Sequence, residues 1–245
     1  MVRTGIQLYT LRGLEDELPT LLRRVAETEF DGVELAGFGE TAPREVAAVL
    51  EDVDLEVAGA HVGIDALEDD LDGVAETCAA LDCDRVVVPY LGDGHFESAA
   101  AVRETAARLS ELADRLAERG LALGYHNHDH EFVPLEGDDR SAFDLLIDET
   151  DASLLIELDV GWAAAAGRDP TALLERLEGR APLVHLKDVA EGRPVELGDG
   201  EVDVDACAAA ARDAGAEWLL YEHDEPSDPA ASLARGARTL SKFRE

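Results

Sequence analysis

The stretch YHNHDHEF, residues 125–132, holds three of the chain's seven histidines together with an aspartate and a glutamate. Imidazole and carboxylate groups are the ligands that divalent transition metals take from proteins, and they are also common general acids and bases. These residue types at this spacing are compatible with a metal site, a catalytic site or a crowded polar loop.

Further ionisable residues stand at the ends of short apolar segments elsewhere in the chain. They are Glu34, His61, Glu157, Asp159, His185, Lys187 and Glu222. Burying such groups is costly unless they are paired or bound to a metal. Side chains two residues apart, such as His126 and His128, share one face of a strand. The repeated pattern indicates one shared polar site.

Eight short apolar segments alternate with eight amphipathic ones along the chain. The predicted strands are residues 5–9, 32–36, 56–61, 85–89, 122–127, 154–159, 183–187 and 218–223. The predicted helices are residues 17–29, 43–51, 66–81, 98–119, 141–149, 169–177, 204–214 and 229–243. Short apolar strands without polar alternation are typical of a parallel sheet covered on both faces.

This alternation predicts an α/β fold, a (β/α)8 TIM barrel formed by residues 1–245 as a single domain. A doubly wound open sheet is the alternative, but the first strand–helix turn, TLRGLED, has no glycine-rich phosphate loop. In a barrel, chemistry takes place at the C-terminal ends of the strands. The ionisable residues named above fall at those ends.

The charge of the chain is strongly negative, with 55 Asp and Glu against 21 Lys and Arg and a formal net charge of -34. Such a field repels phosphate backbones and anionic lipids, which disfavours nucleic-acid and membrane partners. The acidic composition, with only two lysines, resembles that of proteins from salt-loving archaea, whose cytoplasm screens such repulsion.

Three cysteines, Cys78, Cys83 and Cys207, make an odd number without zinc-type spacing and are predicted to be buried free thiols. The N-terminal residues lack a long apolar region, and no run of about 18 apolar residues occurs. These features predict a cytoplasmic protein.

Strands five to eight place His126, Asp159, His185 and Glu222 in one predicted ring. Two imidazoles and two carboxylates suit one divalent metal of the Mn, Co, Fe or Zn kind, whereas Mg prefers an all-oxygen site. A structural polar cluster is the alternative. The sequence also leaves open whether His126 or His128 is the ligand from strand five.

Eight motifs distributed over essentially the whole chain resemble the successive signatures of one family. They are GIQLYTLR, GVELAGF, GAHVGID, YHNHDHEF, ELDVGW, VHLKDV, LGDGEVD and YEHDEPSDP. By these motifs the chain is identified as a member of the sugar phosphate isomerase/epimerase superfamily of xylose isomerase-like barrels. It is most similar to the branch around inosose dehydratase. Members are often dimers or tetramers, which leaves a homo-oligomer as an open expectation.

The resemblance implies one divalent metal held by a Glu, an Asp, a His and a Glu from strands five to eight. Asp159, His185 and Glu222 match three of these positions, but His126 stands where epimerases carry the first glutamate. In the epimerases both glutamates exchange a proton with the substrate. The histidine therefore makes a symmetric two-carboxylate reaction doubtful, and favours isomerisation or β-elimination.

The predicted function is metal-dependent isomerisation or epimerisation of a keto sugar, sugar phosphate or inositol derivative, by α-proton abstraction and a metal-stabilised enediolate. An inosose dehydratase-like elimination is the runner-up, and a non-catalytic sugar-binding barrel is the alternative of another class. The apurinic endonucleases of the same fold need more ligands and a basic face. Glycines in the loop 196–203 could bind a phosphate, but its carboxylates argue against that.

Individual roles follow from position and type. The predicted acid, base or charge-stabilising residues are His61, His128, Glu157, Lys187 and Glu222. Glu34 is predicted to hold substrate hydroxyls, and Trp162 to form an apolar wall for a sugar ring. Lys187 is expected to lean over His185 from the rim of the barrel.

Overall fold

The strands form a closed barrel in the computed structural model, which describes residues 2–244. Each barrel strand pairs in parallel with the next, and the last pairs with the first. The barrel strands are β1 Arg3–Gln7, β2 Gly32–Leu35, β3 Glu56–His61, β4 Arg85–Val88, β5 Ala122–His126, β6 Leu154–Asp159, β7 Leu183–Leu186 and β10 Trp218–Tyr221. The predicted TIM barrel is confirmed.

Helices cover the outside of the barrel. They are α1 Leu18–Ala26, α2 Pro43–Val53, α3 Ile64–Asp69, α4 Leu71–Ala80, α5 Ala99–Ala117, α6 Ala142–Glu149, α7 Val160–Ala165, α8 Pro170–Arg176, α9 Val204–Asp213 and α10 Pro229–Leu240. Short 3₁₀ turns occupy Leu8–Leu11, Asp93–His95, His130–Phe132 and Ser241–Phe243. An antiparallel hairpin of β8 Asp188–Ala190 and β9 Arg193–Val195 follows β7. Among the described residues, no helix has the length and apolar character needed to span a membrane.

Two predicted elements had wrong boundaries and one helix was not predicted, each for a local reason. The predicted helix 66–81 is two helices, because Asp70 is non-helical and its carboxylate accepts the N–H of Gly73 at the start of α4. The predicted strand 5–9 ends at Gln7, whose side chain accepts the N–H of Tyr9 and starts a 3₁₀ turn. The helix α7 was missed, although Asp159 caps it by accepting the N–H of Trp162.

Side chains of unequal size fill the barrel below the polar strand ends. Large groups come from β7 and β10, where Leu183, Trp218 and Leu220 are buried together with Ala58 and Val87. Strands β1, β2 and β3 supply glycines at this level, at Gly5, Gly32 and Gly59. A Cβ built on Gly32 would lie 2.7 Å from the Trp218 ring and closer still to the Glu56 carbonyl. This apolar plug of Leu183, Trp218, Leu220, Ala58 and Val87 therefore requires glycine at position 32 on β2. The plug forms the floor under the polar residues.

The first prediction concerns this plug. Replacing Gly32 by Ala forces Trp218 or the neighbouring strand to move, and overpacking of this kind costs about 1–3 kcal/mol. We expect the melting temperature of Gly32→Ala to fall by roughly 2–12 °C in calorimetry. Gly92→Ala is the control, because nothing lies within 4 Å of its added Cβ and its φ of -70° suits alanine. Equal melting temperatures for the two variants would contradict the account of the plug.

Candidate metal and substrate site

The four residues of the predicted metal ring come together at the C-terminal ends of β5, β6, β7 and β10. Each of His126, Asp159, His185 and Glu222 is buried, and each offers one ligand atom such that all four atoms lie within 4.8 Å of one another. The strand register explains the proximity, because Asp159 is paired with His185 across β6 and β7. The sequence prediction that these residues share one site therefore agrees with their placement, while metal binding itself remains a prediction.

The two ring histidines each face two neighbours. His126 places Nδ1 2.9 Å from Glu157 Oε2 and Nε2 3.9 Å from Asp159 Oδ2. His185 places Nδ1 2.9 Å from Glu222 Oε2 and Nε2 2.7 Å from Glu34 Oε2. His126 thus occupies the strand-five position of the ring.

Lys187 is buried between three carboxylates. Its ammonium lies 2.8 Å from Asp159, 2.9 Å from Glu222 and 2.7 Å from Asp224. Burial lowers the pKa of Lys187, but the three negative charges outweigh burial and raise this pKa above its ordinary value. The ammonium also lies 4.8 Å from the centre of the Trp162 ring. The expectation that Lys187 leans over the site from the rim was wrong, because these carboxylates hold it inside.

A second polar layer adjoins the ring. His61 places Nε2 2.7 Å from Glu157 Oε2 and 3.4 Å from Glu34 Oε2. Burial and the charge of Glu157 raise the pKa of Glu34 to about 7. Burial lowers the pKa of His61, but the charges of Glu34 and Glu157 raise it above its ordinary value. A second group of possible metal ligands, whose ligand atoms also lie within 4.8 Å of one another, consists of His61, His126, Glu157 and His185.

His128 lies outside both groups. Its ring packs edge-on against His126 at 5.0 Å, and its Nδ1 is buried without a hydrogen-bond partner. Burial and the charges of His126 and Lys187 lower the pKa of His128 to about 2. A neutral His128 can accept or donate one hydrogen bond, but it holds no extra proton near neutral pH.

A cavity of about 410 Å³ opens above the ring. It is lined by Tyr9, Ala36, Gly37, His61, Pro89, Tyr90, His126, His128, Glu222 and Asp224. Tyr9 and Tyr90 are 42% and 53% exposed, and the sequence analysis missed both. The sequence feature that could have indicated them is their position, because each lies two residues after the end of a barrel strand.

Other predicted or suspected residues lie away from the cavity lining. Glu34 is fully buried and accepts a hydrogen bond from Gln7, and Trp162 is half-buried against Lys187. Glu131, also fully buried, accepts hydrogen bonds from the Tyr125 hydroxyl and the His128 N–H. Glu34 and Trp162 therefore do not contact the open cavity directly.

The remaining histidines are engaged elsewhere. His95 pairs with Thr105 through Nδ1, and His130 places Nε2 2.9 Å from the carbonyl of Leu91. His223 is buried, and its Nδ1 accepts the N–H of Glu225. None of the three belongs to a metal group in the described part of the chain.

The donor set of the ring fits a divalent transition metal. Two imidazoles and two carboxylates are the ligand types that Mn, Co, Fe and Zn accept. Asp159 Oδ2 is buried and is paired with the Lys187 ammonium at 2.8 Å. Two atoms that bind the same ion, each at about 2.1 Å, can lie at most about 4.2 Å apart. The contacts of Asp159 Oδ2 with His126 and His185, 3.9 and 4.0 Å, satisfy that limit.

The closed parallel barrel with a polar cluster at the carboxyl ends of its strands is the architecture of TIM-barrel enzymes. A family model described as xylose isomerase-like TIM barrel matches residues 22–243, and the chain belongs to this family. The proteins that the chain resembles include isomerases, epimerases and dehydratases.

Two curated relatives show partial similarity. The chain is 29% identical to inosose dehydratase of Geobacillus kaustophilus, over 75% of this chain and 69% of that protein. It is 38% identical to the rhizopine catabolism protein MocC of Rhizobium meliloti over 82 residues. The second match covers 34% of this chain and 24% of MocC.

Two solved structures share the fold. A sugar phosphate isomerase/epimerase from Parabacteroides distasonis superposes with a TM-score of 0.86 and 20% identity, over 100% of this chain and 96% of that one. The IOLI protein, whose structure holds a zinc atom, gives a TM-score of 0.79 and 15% identity, over 99% and 96% of the two chains. At these identities the likeness concerns the fold alone.

The second prediction concerns the buried ammonium. Lys187→Met leaves three carboxylates without their shared counter-charge, and removing one partner of a buried ion pair costs about 3–5 kcal/mol. The metal-free variant should melt roughly 6–20 °C below the unmodified protein in calorimetry. Zinc or manganese should raise the melting temperature of this variant more than that of the unmodified protein, because a divalent cation replaces the missing charge.

Lys242→Met provides a matched control, because Lys242 is the chain's other lysine and is exposed. Its melting temperature should stay close to that of the unmodified protein. A Lys187→Met protein that melts like the Lys242→Met protein would show that the three carboxylates do not need the ammonium.

Proposed function

We propose that the protein is a divalent-metal-dependent isomerase or epimerase that removes the hydrogen next to the ketone of a keto sugar or inositol derivative. The observation that carries this proposal is the ring of His126, Asp159, His185 and Glu222 beside a cavity that His61 also lines. A metal bound by the ring would polarise the substrate carbonyl and so make the adjacent C–H more acidic.

His61 is the proposed acid–base residue. It lines the cavity, and its Nε2 is bound to the buried carboxylate of Glu157. The carboxylate stabilises the positive charge that the imidazole gains when its other nitrogen takes the substrate proton. Return of this proton to the neighbouring carbon, with transfer of the hydroxyl hydrogen from one enediolate oxygen to the other, gives isomerisation. Epimerisation instead adds a proton to the opposite face of the same carbon, which requires a second acid. Glu222 also lines the cavity and is the proposed second acid–base group.

The remaining predicted residues receive supporting roles. The Lys187 ammonium is proposed to hold the carboxylates of Asp159 and Glu222 in place. Its contact with the Trp162 ring keeps Lys187 and Trp162 next to these carboxylates. Glu157 stays a carboxylate, because the charges of His185 and His61 outweigh burial and lower its pKa. Neutral His128 is a proposed hydrogen-bond partner for a substrate hydroxyl.

The proposed substrate carries no phosphate. The cavity lining contains Glu222 and Asp224 and no lysine or arginine. In the loop 196–203, the N–H groups of Gly198, Gly200 and Val202 already donate to the buried carboxylate of Asp188. Exposed Tyr9 and Tyr90 offer ring faces for the apolar side of a sugar or inositol ring.

Elimination of water from an inosose is the second candidate reaction. Inosose dehydratase is a relative over 75% of this chain, and His126 replaces a glutamate that the epimerases use as a base. Such a reaction needs the same α-proton abstraction, followed by departure of a β-hydroxyl that takes a proton from an acid. His61 is a group suited to donate it.

The third prediction tests the proposed chemistry. The manganese-loaded protein should exchange the α-hydrogen of inosose or fructose for deuterium in D₂O, followed by NMR. His61→Gln should lower this exchange rate about 10²- to 10⁴-fold, the range for loss of a general base. His95→Gln should leave it unchanged, because His95 pairs with Thr105 instead of lining the cavity.

The outcomes separate the candidate functions. Exchange without loss of water supports the isomerase or epimerase, and accumulation of a conjugated enone supports the dehydratase. Faster exchange with fructose 6-phosphate than with fructose would contradict an unphosphorylated substrate. Tight binding of the sugar with no exchange and no metal would make the protein a non-catalytic sugar-binding barrel.

We also propose that the protein works in the cytoplasm of a halophile. Of its two lysines one is buried, so the surface carries few cations other than arginine against 55 acidic residues in the whole chain. The three cysteines are buried free thiols, as a reducing compartment allows.

The fourth prediction follows from this charge. The Debye length falls from about 10 Å at 0.1 M salt to about 3 Å at 1 M, so repulsion between surface carboxylates is screened. The melting temperature should rise by several degrees between 0.1 M and 1 M KCl, as calorimetry would measure. Adding 1 M sucrose at low salt controls for general solvent exclusion and should raise it less. A melting temperature independent of KCl would contradict the proposal.

A further inference from the structure

We propose that Glu34 and Glu157 set opposite tautomers in the two ring histidines, so that His185 presents Nδ1 and His126 presents Nε2 to the metal. This inference rests on the proposed function, because it assigns the residues that orient the metal ligands. A histidine ligand must offer a lone pair on one ring nitrogen, and the hydrogen bond of its other nitrogen decides which.

The His185 tautomer can be traced from a backbone N–H. The N–H of Tyr9 can only donate, and it donates to Gln7 Oε1, which fixes the orientation of the Gln7 amide. Gln7 Nε2 then donates to Glu34 Oε2 at 2.8 Å, so this carboxylate oxygen is an acceptor. His185 Nε2 lies 2.7 Å from the same oxygen, and we assign the hydrogen of this contact to Nε2.

The Nδ1 atom of His185 is therefore the ligand atom. It lies 2.9 Å from Glu222 Oε2 and 4.0 Å from Asp159 Oδ2. We place any proton of Glu34 on its other oxygen, Oε1, because Oε1 has no hydrogen-bond partner whereas Oε2 already accepts from Gln7. Glu34 thus acts through His185 as a positioning residue, a different role from the substrate contact that its sequence position suggested.

The His126 ring is bound from the opposite side. Its Nδ1 lies 2.9 Å from Glu157 Oε2, which also binds His61 at 2.7 Å. Oε1 of Glu157 has no hydrogen-bond partner and can hold any proton of this group, so Oε2 is the acceptor and we assign the hydrogen of His126 to Nδ1. Nε2 is left with a lone pair directed towards Asp159 Oδ2 at 3.9 Å.

The two assignments converge on one point in the structure. The proposed ligand nitrogens, Nε2 of His126 and Nδ1 of His185, lie 3.9 and 4.0 Å from the same buried oxygen of Asp159. His126 on β5 and Glu157 on β6 therefore act as a pair: the hydrogen bond from Glu157 orients the imidazole, and His126 provides the ligand atom. The same pairing recurs as Glu34 and His185 across β2 and β7.

The test measures metal affinity and tautomers separately from activity. Zinc affinity is measured by competition with a chromophoric chelator for the unmodified protein and for Glu34→Ala, Glu34→Gln, Glu157→Ala and Glu157→Gln. Loss of a carboxylate that orients a metal ligand typically weakens binding about 10- to 100-fold. We expect that loss in both alanine variants. The glutamine variants should show smaller losses, because the amide oxygen can still accept from the imidazole.

Glu131→Gln is the matched control, because Glu131 is a buried carboxylate of the same barrel end that accepts from Tyr125 and the His128 N–H. Its zinc affinity should match that of the unmodified protein. Long-range ¹H–¹⁵N NMR of the zinc-bound unmodified protein gives a second readout that needs no variant. It should show the ring hydrogen on Nε2 of His185 and on Nδ1 of His126.

Either of two results would overturn the inference. One is that the unmodified protein binds zinc with both histidines in the same tautomer. The other is that Glu34→Ala and Glu157→Ala bind zinc as tightly as the Glu131→Gln control. In that case the proposed metal function stands without these positioning roles. Failure of the unmodified protein to bind zinc, cobalt or manganese overturns both the metal function and the inference.

Discussion

The structure depends on neutralising five carboxylates that meet at the carboxyl ends of the barrel strands. Glu34, Glu157, Asp159 and Glu222 are buried and Asp224 is largely so, and Lys187 is the ammonium among them. An unpaired buried charge costs several kcal/mol, so these groups persist only with counter-charges or protons from neighbouring side chains. Lys187 supplies one positive charge, and the histidines offer further sites for protons. The proposed metal binding depends on this excess of negative charge.

The apolar floor of the barrel makes this arrangement possible. Trp218, Leu183 and Leu220 fill the interior just below the polar layer, and the glycine at position 32 makes room for Trp218. Leu183 and Leu220 precede His185 and Glu222 by two residues on the same strands, so their side chains point to the same interior. Packing of the floor therefore fixes the height and direction of the residues that form the ring.

His126 stands where the family resemblance led us to expect a glutamate, and a carboxylate inside the same site binds it. Glu157 on β6 is paired with His126 in the strand register and binds its Nδ1. A carboxylate is thus still present near strand five, but it contacts the imidazole and His61. This difference makes the two sides of the cavity chemically unequal, with an imidazole–carboxylate pair on one side and Glu222 on the other.

The sequence predicted the barrel and the ring because both follow from simple periodicity. Strands recur at regular intervals, and Asp159, His185 and Glu222 stand at or next to their ends. The burial of Lys187 could not be predicted in this way, since its partners come from separate strands and the loop after β10. Exposure of Tyr9 and Tyr90 depends on the course of loops, which have no periodicity. The break at Asp70 was readable in principle, as an aspartate three residues before the N–H it caps.

Elemental analysis of the purified protein tests the central claim most directly, with His185→Ala measured beside it and His95→Ala as control. The account predicts about one Mn, Co, Fe or Zn per chain in the unmodified protein and in the control, and loss of that metal in His185→Ala. Absence of metal from the unmodified protein, even after incubation with manganese in high salt, would contradict the account. Metal retained in full by His185→Ala would place the ion somewhere other than the ring.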